Sequence, residues 1–172
     1  MQHLTSRKDF IKKGLLFSAG ISLAPNLVFS QNKEKATQLD SALVNEFVKT
    51  AHSDFDKVKE MLSEHPTLLN AAWDWGNGDF ETALGAAGHV GNKEIANYLI
   101  SLGARTDIFV LTMLGKTDIV KAMLKTYPTL LQSKGPHGFT LLHHAEKGGK
   151  DAEKLLKHVQ KMGLTEKMIK TK

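Results

Sequence analysis

Apolar residues recur at helical spacing in four separate stretches of the chain: Val58, Met61 and Leu62; Ile95, Tyr98 and Leu99; Ile119, Val120, Met123 and Leu124; Leu155, Leu156 and Val159. Each set falls on one face of a 3.6-residue period and predicts an amphipathic helix. Ahead of these lie shorter segments of small residues, the clearest being Ala86-Ala87-Gly88, where neighbours can approach closely. Asp54, Gly91, Gly115 and Gly149 stand between the shorter and the longer helix of each pair. A glycine there supplies the positive φ that ends a helix. One such pair cannot bury its own apolar face, so its stability must come from stacking on neighbours.

The pairs are variations on one phrase. Residues 82–104 read Thr-Ala-Leu-Gly-Ala-Ala-Gly-His-Val-Gly and continue to Leu-Gly-Ala; residues 140–149 read Thr-Leu-Leu-His-His-Ala-Glu-Lys-Gly-Gly. Both resemble the ankyrin repeat, in which Thr-Pro-Leu-His opens a helix, Gly ends it, a second helix follows and Gly-Ala closes the unit. The inter-helix positions lie 37, 24 and 34 residues apart, against about 33 in that family. The short middle spacing has a local cause: Asp107 leads directly into Ile108-Phe109-Val110-Leu111, with no room for a hairpin finger. His65-Pro66-Thr67-Leu68-Leu69-Asn70 and Tyr127-Pro128-Thr129-Leu130-Leu131-Gln132 echo each other and predict a shared helix exit, with proline stopping the second helix. The resemblance covers about 39–163 and is strongest in the second unit. It implies an all-α fold, an ankyrin-repeat solenoid of about four helix-pair units, preceded by a cleavable signal peptide.

That signal peptide is read from residues 1–30. Arg7, Lys8, Lys12 and Lys13 precede a short apolar run from Gly14 to Ala24, Pro25 breaks it, and Val28-Phe29-Ser30 offers a cleavage site near Ser30. Ser6-Arg7-Lys8-Asp9-Phe10-Ile11-Lys12 resembles a twin-arginine signal with lysine in place of the second arginine. The expected mature chain is periplasmic or secreted: a linker at 31–38, the repeat domain at 39–163 and a basic, solvated tail at 164–172. The run is too short for a stable membrane span.

Charge narrows the partners. The net charge of +5 includes +3 in the first thirty residues; the remaining 19 basic and 17 acidic residues leave only +2. That balance does not favour nucleic acid, which calls for a concentrated basic face. The chain has no cysteine, which excludes disulfides, thiolate metal sites and cysteine nucleophiles.

In ankyrin proteins the fingers and the concave face of the first helices bind partners. Carried onto this chain, one exposed concave column is His52, His89, Met113 and Lys147, and another is Lys49, Ala86, Val110 and His144. The finger tips are 73–80 and Gly135-Pro136-His137-Gly138. The candidate binding residues are therefore Trp73, Asp74, Trp75, Asp79, His52, His89, His137 and His144. The tryptophans read either as anchors for a partner or as caps on the apolar edge of the first unit, and Phe80 reads as core. His143 takes the family's structural histidine, bonded to backbone.

No catalytic residue, cofactor or metal is expected. The chain has no Gly-x-Ser-x-Gly, phosphate-loop or His-Glu-x-x-His motif. Asp79 and Glu81 are two apart with no strand predicted to align them. His52 and His89, on units about 10 Å apart, are expected to be too distant to share zinc at about 2 Å per ligand. A site from His89, Asp79 and His137 requires the fingers to fold inward. The expectation is a scaffold for an unidentified envelope protein or peptide. The alternative is a small-ligand or metal-binding protein, with hydrolase or isomerase chemistry as its enzymatic form, using Asp79, His89, His137 and His144.

Overall fold

The computed structural model describes residues 37–169. The export-signal reading falls on residues outside that range. The described chain is mostly helical. Helices α1 (Ser41–Thr50) and α2 (Phe55–Glu64) form a first pair. A short hairpin follows, with strands β1 (Ala72–Asp74) and β2 (Phe80–Thr82). Then come α3 (Ala83–Val90) with α4 (Lys93–Ser101), α5 (Ile108–Met113) with α6 (Thr117–Thr126), and α7 (Leu141–Gly148) with α8 (Glu153–Lys161).

Local chemistry sets these boundaries. Asp40 accepts from the amides of Ala42 and Leu43 at the start of α1, and Asp54 from Lys57 at the start of α2. Thr82, Asn92 and Asp107 cap α3, α4 and α5 in the same way. Each such cap satisfies amides that the helix itself leaves unpaired. Single-turn 3-10 helices at Pro66–Asn70 and Pro128–Gln132 follow α2 and α6, and Leu68 and Leu131 fold back into the core there.

The first helices carry the packing. α3 touches α1 on one side and both α5 and α7 on the other. Every residue from Ala83 to His89 is buried. Its small side chains permit this: a Cβ added at Gly88 would stand 2.9 Å from Val110 Cγ2. The expectation that Ala86, His89, Val110, Met113 and His144 line an exposed concave face is therefore overturned. All five are buried, because the first helices meet more closely than a solvated face allows. Gly115 shows how tight the contact is, since it has φ +67° and a Cβ there would lie 2.1 Å from Asp151 O. Ile119, expected on a buried face, is 51% exposed.

The segment after α8 is not a free end. Leu164 is buried, Thr140 N donates to Lys167 O (3.0 Å), and Ile169 N donates to Gly138 O (2.9 Å). These contacts fasten residues 136–140 from behind. Among the described residues, no helix is long and apolar enough to cross a membrane.

Candidate functional site

The β1–β2 hairpin determines which side chains face inward. Its register pairs Trp73 with Glu81 and Asp74 with Phe80. Cross-strand partners share a face and neighbours alternate. Trp73 and Glu81 therefore point toward the helices, while Asp74 and Phe80 point out. The sequence expectation placed Phe80 in the core, but it is 63% exposed and Glu81 is fully buried. The turn holds this register. Gly76, Asn77 and Gly78 all have positive φ, and Asp74 accepts from the Gly76 amide at 2.8 Å. Three such residues in succession suit glycine and asparagine, which reach that region at least cost.

Three histidines converge on Glu81 from separate parts of the chain. His52 follows α1, His89 lies in the last turn of α3, and His137 lies in the 3-10 turn Pro136–Gly138. His89 Nε2 is 3.0 Å from Glu81 Oε1. His52 Nε2 and His137 Nε2 are 3.7 and 3.5 Å from Oε2. The Nε2 atoms of His52 and His89 are 3.1 Å apart. This corrects the expectation that the two rings stand too far apart to share an ion. Helix spacing sets the distance between backbones, and the two rings reach across it toward each other.

Each group is oriented from behind. Trp75 Nε1–H donates to Glu81 Oε2 at 2.9 Å, so this indole is committed to the interior. The Lys49 ammonium lies 5.9 Å from the centre of its ring. His52 Nδ1 faces the carbonyls of Val48 (3.1 Å) and Lys49 (3.0 Å). A carbonyl only accepts, so Nδ1 carries a proton and, in the neutral ring, Nε2 presents a lone pair. Asp79 grips His137 twice, accepting its amide on Oδ1 (2.8 Å) and its Nδ1–H on Oδ2 (2.9 Å). That grip holds a non-glycine residue at φ 58°, a conformation that costs about 1–3 kcal/mol.

Burial, the strongest influence on Glu81, pushes its carboxyl up. His89, Trp75 and His137 outweigh it and hold the carboxyl below its ordinary value. Glu81 Oε1 is buried without a hydrogen-bond partner, since the approach of His89 lacks hydrogen-bond alignment. The edges of His52 and His137 reach solvent.

Of the sequence candidates, His52, Asp79, His89, His137 and Trp75 meet here. Trp73 packs half-buried against the core formed by α1–α5, and Asp74 points away. His144 belongs elsewhere. It is fully buried, bonded from Nδ1 to Thr140 O at 2.8 Å, and burial pushes it down to about 4. His143 Nε2 bonds the carbonyl of His89 at 2.8 Å and stacks on Phe139 at 3.9 Å. It thereby supports the helix turn that carries His89. Glu81 is the residue that sequence reasoning left out. Its signal was the alternation of Phe80-Glu81-Thr82 after a Gly-Asn-Gly turn.

A cleft of about 290 Å³ lies beside the hairpin, lined in part by Phe80, Phe109, Lys134 and Pro136. Comparison of the chain with protein-family models, with curated proteins and with solved structures finds no match in any of the three.

Proposed function

We propose that this chain is an exported, ankyrin-like binding protein that holds a cation at Glu81. The architectural part draws on four successive helix pairs, a finger before α3, and Thr82 and Thr140 each standing just before a short helix. Export rests on the sequence of residues 1–30 alone. The ligand part rests on one observation: a fully buried carboxylate is ringed by three imidazoles and keeps an oxygen without a partner. Its surroundings favour the charged carboxylate, and a bound cation is the partner that its free oxygen lacks. The tryptophans support this reading over a flat partner-binding face, since Trp75 spends its N–H on Glu81 and Trp73 packs on the core.

The test is native mass spectrometry of the full chain purified without chelator from its own source. A mass excess present in the wild type and lost in a folded His89→Ala variant is expected. A bare wild-type mass under gentle conditions counts against a bound cation. A second reading, a peptide-binding scaffold, is favoured by exposed Phe80 beside the cleft. For that reading, a peptide partner must lose affinity on Phe80→Ser.

A further inference from the structure

We infer that His52, His89, His137 and Glu81 form a binding site for a divalent first-row transition ion of the zinc type. The inference rests on the cation reading above and names its ligand.

Proton accounting comes first. The Nδ1–H groups of His52 and His137 are committed to backbone oxygens and to Asp79, so it is their Nε2 atoms that face the cluster, as lone pairs in the neutral rings. Glu81 brings two more acceptor oxygens. Against these stand the N–H of Trp75, already given to Oε2, and at most one proton on His89 Nε2. Lone pairs therefore face one another at 3.1 Å across His52 and His89 if His89 is turned to its other tautomer. With the proton on His89 Nε2, a neutral His137 ring still turns its Nε2 lone pair to the carboxylate at 3.5 Å. With neutral rings the cluster has more acceptors than donors, and a central cation satisfies all of them together.

The dimensions fit. One donor atom from each of the four residues lies within 4.8 Å of the others. Ligand bonds of about 2.0–2.1 Å in a tetrahedron give edges of roughly 3.3–3.4 Å. Two of the observed separations are edges of such a set and lie a few tenths of an ångström inside it, 3.0 Å from His89 Nε2 to Glu81 Oε1 and 3.1 Å between the Nε2 atoms of His89 and His52, while His137 and His52 stand 3.5 and 3.7 Å from the carboxylate's other oxygen. Trp75 occupies Oε2 and leaves Oε1 as the free ligand oxygen.

The donor chemistry selects the ion. Imidazole nitrogen suits zinc, copper, nickel and iron, whereas calcium and magnesium take oxygen sets. Ligating histidines that donate their second ring N–H to a carboxylate or a carbonyl are a recurrent feature of metal sites. His137 on Asp79 and His52 on the end of α1 both show it. The solvent-facing edges of the same two rings give the ion a way in.

The experiment uses the full chain, stripped with chelator and titrated with Co²⁺ and then Zn²⁺. The expected result is one ion per chain, the intense visible bands of four-coordinate cobalt, their loss on adding equimolar Zn²⁺, and a raised melting temperature. His52→Ala and His137→Ala, at the accessible edge, are expected to weaken binding at least tenfold while circular dichroism stays native. His158→Ala on α8 is expected to bind as the wild type does. If these two site variants misfold, His52→Gln and His137→Gln take their place under the same criterion. Binding unchanged in folded site variants overturns the inference, as does a wild type that takes up neither ion. If the wild type takes up neither ion but still shows the mass excess described above, the metal fails and the cation reading stands. If both are missing, both readings fail.

Discussion

His52 and His89 stand 37 positions apart in sequence, and their Nε2 atoms lie 3.1 Å apart in the fold. The close packing of α1 on α3 produces this meeting, and the small side chains of α3 produce that packing. The site is therefore a product of the core, and changes to either are expected to be felt in the other.

Trp75→Phe keeps the ring and deletes the N–H that Glu81 Oε2 accepts. A buried carboxylate then loses its best-aligned donor, and hydrogen bonds to charged groups contribute about 1.5–3 kcal/mol. The expected loss of stability lies in that range by urea denaturation. Zn²⁺ affinity should fall about 10–100-fold, the usual cost of removing a group that orients a metal ligand. A variant with unchanged affinity would show that the indole has no orienting role.

Phe80→Ser is expected to leave stability within about 0.5 kcal/mol of the wild type, as exposed positions generally do. The side chain is 63% exposed on the outer face of β2. A loss of several kcal/mol on thermal unfolding would put Phe80 in the core after all and reverse the strand register described here.

Gly115→Ala should be costly and Gly103→Ala mild. Both residues have positive φ, but only Gly115 faces a backbone oxygen, Asp151 O, at 2.1 Å from the new Cβ; Gly103 has nothing within 4 Å. Strain in the left-handed region costs about 1–2 kcal/mol in each. Displacing packed backbone adds about 1–3 kcal/mol at Gly115 alone. Equal losses in the two variants by chemical denaturation would contradict the contact between the end of α5 and the turn at Gly149–Ala152.

His144 makes stability depend on pH. Its folded value is depressed from 6.5 to about 4, so the unfolded chain binds the proton first. Its contribution is whole above pH 6.5, is lost as pH falls toward 4, and totals roughly 3 kcal/mol. His144→Leu removes this dependence and the unpaired Nε2 with it. Its stability should therefore fall less steeply than the wild type's between pH 6.5 and 4. Parallel curves would mean that the ring is solvated in solution.

Much of the fold was legible because it rests on local rules. Val58, Met61 and Leu62 face inward at helical spacing, and Asp54, Thr82, Asn92 and Asp107 stand where helices need caps. Gly91 ends α3 at φ +85°. The site was less legible. Its four side chains lie on three separate segments, and their meeting depends on side-chain reach, which helix spacing alone underestimates. Glu81 was hidden by strand parity. In a three-residue strand, a single step of register decides whether Phe80 or Glu81 is buried, and hydrophobicity alone favours the wrong one. The docking of Lys167 and Ile169 depends on backbone pairing that side-chain pattern does not record.

The third helix pair has no finger, since Asp107 caps α5 directly. That omission clears the space in which Pro136 comes to rest over the start of α3, its Cγ 3.4 Å from where a Cβ of Gly85 would be. Asp79 can then take hold of His137 across an interval of 58 residues. A hairpin-sized segment inserted before Asp107 is expected to stand between the two like a closed door. The direct step from Asp107 into α5 thus shapes the centre as much as the side chains within it, and a chain lengthened there is expected to lose His137 from the site.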